Sequence, residues 1–307
     1  MSNKTINNKK RRMIYILSPS YSGSTLLTYL LATHPDVSTV GELKATSLGD
    51  MDSYTCSCGQ LIKSCDFWDA LSGRLKENGI RFNFNEFGTN FISSNNFYNK
   101  LLRSSVRGNL FEFLRKLAIN LTSCRKTLAR VLHYNSIFID AISDIQKGKV
   151  FLDGSKDAIR LEHLYNSGLW DIKVIVLLRD GRGVTNSYMR HYDVDMNIAA
   201  AEWVHDINEI QNIKAMMDPG DAIDIYYEEL CKKPDQVLDN IFNFLGLHEN
   251  SASLDYRAME HHILGNSMRL QSTSEIRLDE KWKTALNEND LEIFNRISGP
   301  VNKNLGY

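Results

Sequence analysis

The sequence predicts an α/β fold, a three-layer sandwich in which helices cover both faces of a central parallel β-sheet. Short apolar runs alternate with helix-type patterns along most of the 307 residues, and this alternation is typical of parallel strands joined by helices. The segment 172–178 (Ile-Lys-Val-Ile-Val-Leu-Leu) is β-branched and almost wholly apolar, as interior parallel strands are. We therefore expect a single domain over residues 13–307.

In the N-terminal half, the predicted strands are short apolar runs that end at turn residues. Such runs occupy residues 13–17 and 37–40. Between them, leucines at helical spacing predict a helix over 24–34. Residues from about 70 to 149 carry long amphipathic patterns with few strand signals. We interpret that region as a mainly helical insertion.

The C-terminal half repeats the alternation around the strong strand. The further elements predicted there are strands at 150–152 and 222–226 and helices at 157–165, 183–191, 197–217 and 234–245. The last of these helices has Pro234 near its start and Gly246 after its end, which is the usual placement of both residue types. Residues 251–279 are polar and irregular, so we expect a lid or binding loop there.

Composition excludes several classes of protein. With 43% apolar and 24% charged residues and a formal net charge of −1, the chain as a whole lacks the basic surplus of a nucleic-acid or anionic-membrane binder. Five cysteines are few, and an odd number, for a disulfide scaffold, so a reducing, cytoplasmic location is expected.

No targeting signal is expected from the first residues of the sequence. Residues 1–12 are expected to form a disordered basic tail, and the apolar run behind them has only five residues, against about 7–15 for the core of a signal peptide. No stretch approaches the roughly 20 apolar residues of a membrane span, so no integral membrane segment is expected.

The first strand leads into a candidate phosphate loop. Ligands of open parallel sheets bind beyond the carboxyl ends of the strands, and here small hydroxyl residues and one glycine stand where the first helix begins. Free backbone N–H groups at such a helix start favour an anion, and Gly23 allows close approach of a phosphate. The candidate binding residues are Ser22, Gly23, Ser24 and Thr25. An ordinary serine N-cap is the alternative explanation.

The loop lacks the features of an ATPase or GTPase. There is no G-x-x-x-x-G-K-[ST] sequence, so no lysine is placed to reach β- and γ-phosphates, and no acidic residue is obviously placed to hold magnesium. A donor whose transferable group carries a single charge tolerates these absences better than a nucleoside triphosphate does.

A second candidate anion site follows the strong strand. Arg179 stands at the carboxyl end of that strand, and Ser187 lies eight residues further on, along the next predicted helix. The guanidinium fork and a hydroxyl are suited to phosphate. Two anion sites on one sheet edge fit a nucleotide with phosphates at both ends. The alternative is a solvent-exposed turn, and Arg182 is as well explained by pairing with Asp180.

These stretches resemble the sulfotransferase superfamily, and most closely a bacterial branch related to the tyrosylprotein and carbohydrate sulfotransferases. Residues 21–26 (Tyr-Ser-Gly-Ser-Thr-Leu) match the family's R-S-G-[ST]-[ST]-L loop, except that Tyr21 stands in place of arginine. Residues 179–187 match its 3′-phosphate motif. Residues 153–161 resemble its D-x-S-K-x-x-x-R-L segment. Weaker matches are 226–230, 244–246, Gly265-Asn266 with Arg269, Trp282 and 305–307.

The resemblance implies a P-loop NTPase-like fold and transfer of a sulfuryl group from 3′-phosphoadenosine 5′-phosphosulfate (PAPS), with no metal required. By position it implies that Glu42 is the general base and that Lys156 stabilises the departing oxygen. The alternative for Glu42 is a capping or salt-bridge role on a loop, and that for Lys156 is a surface pair with Asp153 or Asp157. Asn266 and Arg269 are candidates to close over the 3′-phosphate. Among the histidines, His34 is the alternative base expected to lie nearest the site.

A cysteine cluster near residue 60 invites a metal interpretation. Cys56, Cys58 and Cys65 supply three ligands at C-x-C spacing, whereas zinc takes four at C-x₂₋₄-C spacing. We therefore expect a structural loop without metal, able to form a Cys58–Cys65 or Cys56–Cys65 bridge under oxidation. The same pattern recurs in the bacterial branch, with no role implied.

The function expected from the sequence is a PAPS-dependent sulfotransferase acting on a hydroxyl or amine. Its acceptor would be a small molecule, a glycan or a lipid, and no nucleic-acid partner is expected. The alternatives are a P-loop small-molecule kinase and a non-catalytic nucleotide-binding protein of the same fold. A magnesium requirement would favour the kinase, and donor binding without turnover would favour the non-catalytic protein.

Overall fold

A computed structural model describes residues 10–44, 49–247, 253–271 and 273–307. Its centre is a sheet of five parallel strands: β1 (Arg11–Leu17), β2 (Val37–Thr39), β3 (Val150–Lys156), β4 (Trp170–Leu178) and β5 (Ala222–Tyr226). Their spatial order is β2-β3-β1-β4-β5, so β1 lies in the middle and pairs with both β3 and β4.

Helices cover both faces of the sheet. The helices are α1 (Ser24–Ala32), α2 (Asp66–Glu77), α3 (Asn96–Arg103), α4 (Asn109–Leu121), α5 (Cys124–Gln146), α6 (Ala158–Ser167), α7 (Gly181–Tyr192), α8 (Met196–Ala215), α9 (Tyr227–Lys232), α10 (Pro234–Leu245), α11 (Trp282–Ala285) and α12 (Glu288–Asn304). None of those in the described part of the chain combines the length and the apolar content that a membrane crossing requires.

Alternation along β1 divides the core into two layers. Met13, Tyr15 and Leu17 face a cluster formed with α2, α5, α6, α8 and α12. Ile14 and Ile16 face the opposite cluster, which is formed with α1, α9 and α10. Side chains of a strand point alternately to its two sides, so a central strand that is buried throughout must be apolar on both. The expected three-layer α/β fold is confirmed.

The topology gathers three loops at one edge of the sheet. The carboxyl ends of β3, β1 and β4 are neighbours, with Leu17 paired to Lys156 and also to Val176. All strands are parallel, so the loops after these three strands leave from the same edge. That edge therefore receives the candidate phosphate loop, Lys156 and Arg179 together.

Several element bounds differ from the sequence-based expectation. β1 begins at Arg11, so the last two residues of the expected basic tail belong to the sheet, while residues 1–9 lie outside the described residues. β3 continues to Lys156 and not only to residue 152. Asp153 and Ser155 suggested a loop, but both side chains are buried and hydrogen-bonded to each other.

The expected lid region, 251–279, is described except for residues 251, 252 and 272. It is mostly irregular, with one short 3₁₀ helix at Ser267–Leu270. It also extends the sheet edge locally, because Leu264 forms a parallel bridge with Gly41 and donates its N–H to the carbonyl of Val40 over 2.7 Å. This contact brings the segment against the end of β2.

Candidate active site

The candidate phosphate loop leads directly into the N-terminus of α1. Gly23 is the N-cap of α1 with φ of 89°, and a Cβ at this position would lie 2.4 Å from the Tyr227 ring. Glycine is therefore required both by the backbone conformation and by the space. The hydroxyls of Ser18 and Ser22 are buried and have no hydrogen-bond partner among the described residues. Buried hydroxyls are rarely left unpaired. That of Ser18 borders one of the cavities described below, whereas that of Ser22 reaches none of them.

The loop opens onto a cavity of about 770 Å³. Gly23, Ser24 and Thr25 lie on one side of this cavity, which we call the loop cavity, and Glu42 and Lys156 lie on another. Ser22 is too deeply buried to line it. The loop cavity thus brings together residues that are more than a hundred positions apart in the sequence.

Arg179 and Ser187 line a neighbouring cavity of about 690 Å³, which we call the arginine cavity. Tyr21, Gly23 and Asn266 line both cavities. The two predicted anion sites therefore open onto adjoining spaces on either side of the loop. Their roles in binding stay predictions.

The guanidinium of Arg179 connects the candidate phosphate loop to the lid region. It donates to the carbonyl oxygens of Tyr21 and Asp279, both over 2.7 Å, and its carbon lies 4.5 Å from the centre of the Tyr227 ring. The side chain is thereby fixed in place while it still lines the cavity. Ser187 donates to the carbonyl of Gly183, one helical turn back, over 3.0 Å.

Asn266 and Arg269 occupy different environments. The Asn266 side chain caps the short 3₁₀ helix by accepting from the N–H of Met268. The Arg269 guanidinium donates to the carbonyls of Thr55 and Gly265, over 3.2 and 2.9 Å, and stacks 4.2 Å from the Tyr54 ring. Both residues line the loop cavity, but these contacts use Arg269 mainly to hold two loops together.

Glu42 and Lys156 form an ion pair where the loop cavity meets a third one. This third cavity, of about 410 Å³, shares Ser20, Glu42 and Lys156 with the loop cavity. Lys156 has φ of 64°, the left-handed region that non-glycine residues rarely adopt. The side chains of Glu42 and Lys156 are 28% and 18% exposed, so both remain accessible from the cavities.

A buried network positions the chain around Lys156. Arg160 is fully buried; its Nε donates to Asp153 over 2.9 Å, and its other N–H groups reach the Thr89 carbonyl and the Asn135 side chain. Such a pair is costly to break, because one partner alone would be a buried, uncompensated charge. Within residues 153–161, which resemble a family segment, the Asp153–Arg160 pair thus holds the turn that presents Lys156 to the cavities.

The third cavity is rich in charges that the sequence analysis did not identify. Lys44 and Arg103 each pair with Asp157 over 2.8 Å. Although burial alone raises the pKa of the Asp157 carboxyl, Arg103 and Lys44 lower it to about 2. Burial raises the pKa of Asp206, which also lines this cavity, to about 6; His205 opposes the shift, and Glu202 and Glu209 add to it. These residues come from distant helices and loops, without a local motif that could have found them.

Among the histidines, His34 is not near the site, contrary to expectation. It packs against Phe242, with ring centres 5.2 Å apart, on the face of the sheet covered by α1 and α10. His191, from α7, lies instead beside the loop, 5.5 Å from the Tyr21 ring, and lines the loop cavity. α1 begins at the sheet edge that carries the candidate site and runs away from it, so residues just after its C-terminal end lie far from that edge.

Tyr21, which stands where the family has arginine, packs in an aromatic group. Its ring lies 6.3 Å from that of Tyr188 and 6.4 Å from that of Tyr192, both on α7. No cationic side chain is therefore needed to hold the loop against α7, and Arg179 supplies the positive charge at the Tyr21 carbonyl.

The cysteine cluster has a fourth possible ligand. The sulfur atoms of Cys56, Cys58 and Cys65 and a ring nitrogen of His262 lie within 4.8 Å of one another. His262 is about 200 positions away from the cysteines in the sequence, so spacing alone could not identify it. The three cysteines are thiols in this structure, not a disulfide-bonded loop.

Comparison with known proteins places this geometry in context. Residues 166–251, which include Arg179 and Ser187, match the model of a sulfotransferase family. A search of curated proteins found no significant match. The sulfotransferase domain from the curacin biosynthetic pathway is 18% identical, with a TM-score of 0.52 over 94% of this chain and 98% of that domain. The sulfotransferase STF9 from Mycobacterium avium is 12% identical, with a TM-score of 0.50 over 96% of this chain and 76% of that one.

At these identities the two structures show a shared fold and nothing finer. The family match covers a part of the chain, whereas the shared fold extends over nearly all of it. The resemblance to the sulfotransferase superfamily is thus confirmed: residues 166–251 match its family model, and the chain as a whole has the fold of solved sulfotransferases.

Proposed function

We propose that this protein is an enzyme that transfers the sulfuryl group of PAPS to an acceptor hydroxyl or amine. The observation that carries the proposal is the position of the Glu42–Lys156 pair. It lies where the loop cavity, which has the features of an anion cradle, opens into the charged third cavity. A transferred group must pass between donor and acceptor at such a junction.

The residues of this chain fit the donor at both of its ends. The N-terminus of α1, with Gly23, Ser24 and Thr25 on the wall of the loop cavity, suits the 5′-phosphosulfate. Arg179 and Ser187, in the adjoining arginine cavity, suit the 3′-phosphate. The missing Walker lysine fits a donor with a singly charged transferable group better than it fits a nucleoside triphosphate.

In the proposed mechanism, Glu42 accepts the proton of the acceptor as its oxygen or nitrogen attacks the sulfur. The bond between that sulfur and the bridging oxygen breaks, and Lys156 donates a hydrogen bond to the departing phosphate oxygen. The products are the sulfated acceptor and 3′,5′-bisphosphoadenosine. Catalysis of this kind rests on positioning and on charge stabilisation.

The ion pair has a function in this scheme. While Glu42 and Lys156 contact each other, each neutralises the other near the sulfuryl group. Uptake of the acceptor proton removes the charge of Glu42, and Lys156 is then drawn towards the negative charge that develops on the leaving oxygen. The pair thus supplies a base and a cation in the order in which the reaction needs them.

The acceptor is proposed to bind in the third cavity. Its walls carry charges of both signs: Lys44 and Arg103 pair with Asp157, and Asp206 also lines the cavity. We propose a polar acceptor, whether a small molecule, a glycan or a lipid head group, in a reducing, cytoplasmic setting. A panel of such acceptors, compared at equal concentration, would identify the class.

Transfer of labelled sulfate from PAPS tests the proposal. We expect Glu42→Gln and Lys156→Ala to lower turnover at least a hundredfold, since general-base catalysis alone contributes about 10²–10⁴-fold, and to leave 3′,5′-bisphosphoadenosine binding within about threefold. Matched controls are Glu77→Gln and Lys149→Ala, which remove members of exposed ion pairs elsewhere. Transfer that requires magnesium and ATP, or full activity of both site variants, would contradict it.

A further inference from the structure

We propose that Cys56, Cys58, Cys65 and His262 form a structural zinc site. The site would join the loop around residues 55–65 to the segment that carries Asn266 and Arg269. Three thiolates and one imidazole are a common ligand set for structural zinc, in which four protein ligands close the coordination sphere. The proposal concerns the architecture of the wall beside the donor cavities and not the transfer step.

Three of the six distances between the ligand atoms are close to those of a tetrahedral site, and the other three are no longer than 4.8 Å. With Zn–S bonds of about 2.3 Å and Zn–N bonds of about 2.0 Å, the edges of a tetrahedron are about 3.8 Å between two sulfurs and about 3.5 Å between sulfur and nitrogen. The sulfurs of Cys58 and Cys65 are 3.6 Å apart. Nδ1 of His262 lies 3.6 Å from the sulfur of Cys56 and 3.3 Å from that of Cys65.

The backbone around the thiols is folded as in a ligand-bearing turn. Cys56 accepts from the N–H of Gly59 over 2.9 Å and donates its own N–H to Gln60 over 2.8 Å. Gly59 has φ of 91°, which closes the turn tightly. The turn points the side chains of Cys56 and Cys58 to the same side, where Cys65 arrives at the start of α2. The unusual C-x-C spacing is thus compatible with a shared centre.

His262 is oriented by its own neighbours. Its ring stacks on that of Phe67, with centres 4.5 Å apart and planes 5° from parallel. Its second nitrogen, Nε2, lies 3.5 Å from a carboxylate oxygen of Glu260. A carboxylate on the far nitrogen of a ligating histidine is a recurrent partner that fixes the ring and its tautomer. Nδ1 is thereby left facing the three sulfurs.

A disulfide explains the cluster less completely than zinc does. A Cys58–Cys65 bridge would use two of the three thiols and leave Cys56, which is fully buried, beside His262 without a function for either. Oxygen-preferring ions such as magnesium and calcium do not suit three thiols, whereas zinc does. A single zinc ion accounts for all four side chains.

The site would stiffen one wall of the loop cavity. His262 is three residues before Gly265, which lies against the carboxylate of Glu42. The Ser57 hydroxyl bridges the same two segments, because it donates to the His261 carbonyl over 2.5 Å and accepts from the N–H of Ile263 over 2.7 Å. A metal between these segments would therefore hold the lid region against the catalytic edge.

Metal analysis of the full-length protein, purified under reducing conditions without an added tag for metal capture, tests the proposal directly. We expect one zinc per chain, and, after exchange, a cobalt derivative with the visible absorption of a tetrahedral thiolate site. Cys58→Ser and His262→Ala should each lose most of the bound metal. Cys231→Ser, which removes a thiol outside the cluster, should retain it. This readout does not depend on sulfotransferase activity.

Two further measurements keep the test decisive if a ligand variant fails to fold. Glu260→Gln changes an exposed residue and should weaken zinc affinity by about tenfold in competition with a chromophoric chelator. Zinc removal from the wild-type protein should lower its melting temperature reversibly. Wild-type protein that holds no zinc and gives no tetrahedral cobalt spectrum would overturn the proposal, as would a Cys58–Cys65 disulfide in protein kept under reducing conditions.

Discussion

Replacement of Arg179 by alanine should abolish the preference of the protein for a nucleotide with a 3′-phosphate. In the proposed complex Arg179 donates hydrogen bonds to that phosphate, whereas adenosine 5′-monophosphate has no 3′-phosphate to accept them. Wild-type protein should therefore bind 3′,5′-bisphosphoadenosine much more tightly than adenosine 5′-monophosphate. In Arg179→Ala the two affinities should converge, because the lost contact serves only one of the two ligands.

The magnitude follows from the contacts of the guanidinium. A hydrogen bond to a charged group contributes about 1.5–3 kcal/mol, which corresponds to a loss of about 10- to 100-fold in affinity. The substitution also removes the donor of the Tyr21 and Asp279 carbonyls, so the phosphate loop loses a support. We expect a stability cost of about 2–3 kcal/mol from these two carbonyls, each of which would lose its charged partner.

Arg182 provides a matched control three residues away. Its guanidinium is held by Asp180, with Nε 2.9 Å and Nη2 2.6 Å from the carboxylate oxygens, and stacks 4.2 Å from the Trp282 ring. Because it lines neither donor cavity, Arg182→Ala should change nucleotide affinity less than about threefold, although it removes the same formal charge.

Isothermal titration with both nucleotides, at fixed ionic strength, measures these differences. Circular dichroism and melting curves would establish that each variant is folded before it is titrated. An Arg179→Ala protein that still discriminates between the nucleotides would refute this role of Arg179, as would equal losses of affinity in the Arg179 and Arg182 variants. The second result would mean that overall charge, and not a positioned fork of donors, attracts the ligand.

Two further predictions concern the loop and the third cavity. Gly23→Ala should lower transfer at least tenfold in the labelled-sulfate assay, because its Cβ would clash with Tyr227. Gly79 has a similar φ of 77° with open space around it, so Gly79→Ala should keep its transfer activity and only destabilise the protein by about 1 kcal/mol. Equal losses of transfer activity in the two variants would argue against the clash. Asp206 has a folded-state pKa of about 6, above its usual 3.8, so its stabilising contribution is present at low pH and is lost as pH rises towards 6. Asp206→Asn should therefore stabilise the protein by about 2 kcal/mol at pH 7.5 and by less at pH 5, as measured by melting curves; a gain that is independent of pH would refute the shift.

The fold was largely predictable because its signals are local. A central strand such as β4, buried on both sides, must be apolar, and its length and β-branched residues are visible in the sequence. Bounds were less predictable where polar residues are satisfied by distant partners. The predicted strand stopped before Asp153 because this residue is polar, whereas in the structure its carboxylate accepts a hydrogen bond from buried Arg160.

The candidate site was predictable only where a motif lies on one stretch of chain. The phosphate loop and the Arg179 segment each follow a strand, so the parallel topology alone brings them to one edge. Lys44, Asp206 and His262 reach their positions through loops and helices whose paths the sequence does not specify. His34 shows the converse: it is close to the loop in sequence, but α1 separates the two in space.

The left-handed backbone of Lys156 suggests a route to a trapped complex. A non-glycine residue in this conformation costs roughly 1 kcal/mol or more, which glycine would not incur. Lys156→Ala would remove the amine and keep the backbone strain, whereas Lys156→Gly would remove both the amine and the strain. Lys156→Gly is therefore the preferred variant in which to capture donor and acceptor together, since it loses the amine as Lys156→Ala does but should melt at a higher temperature than that variant.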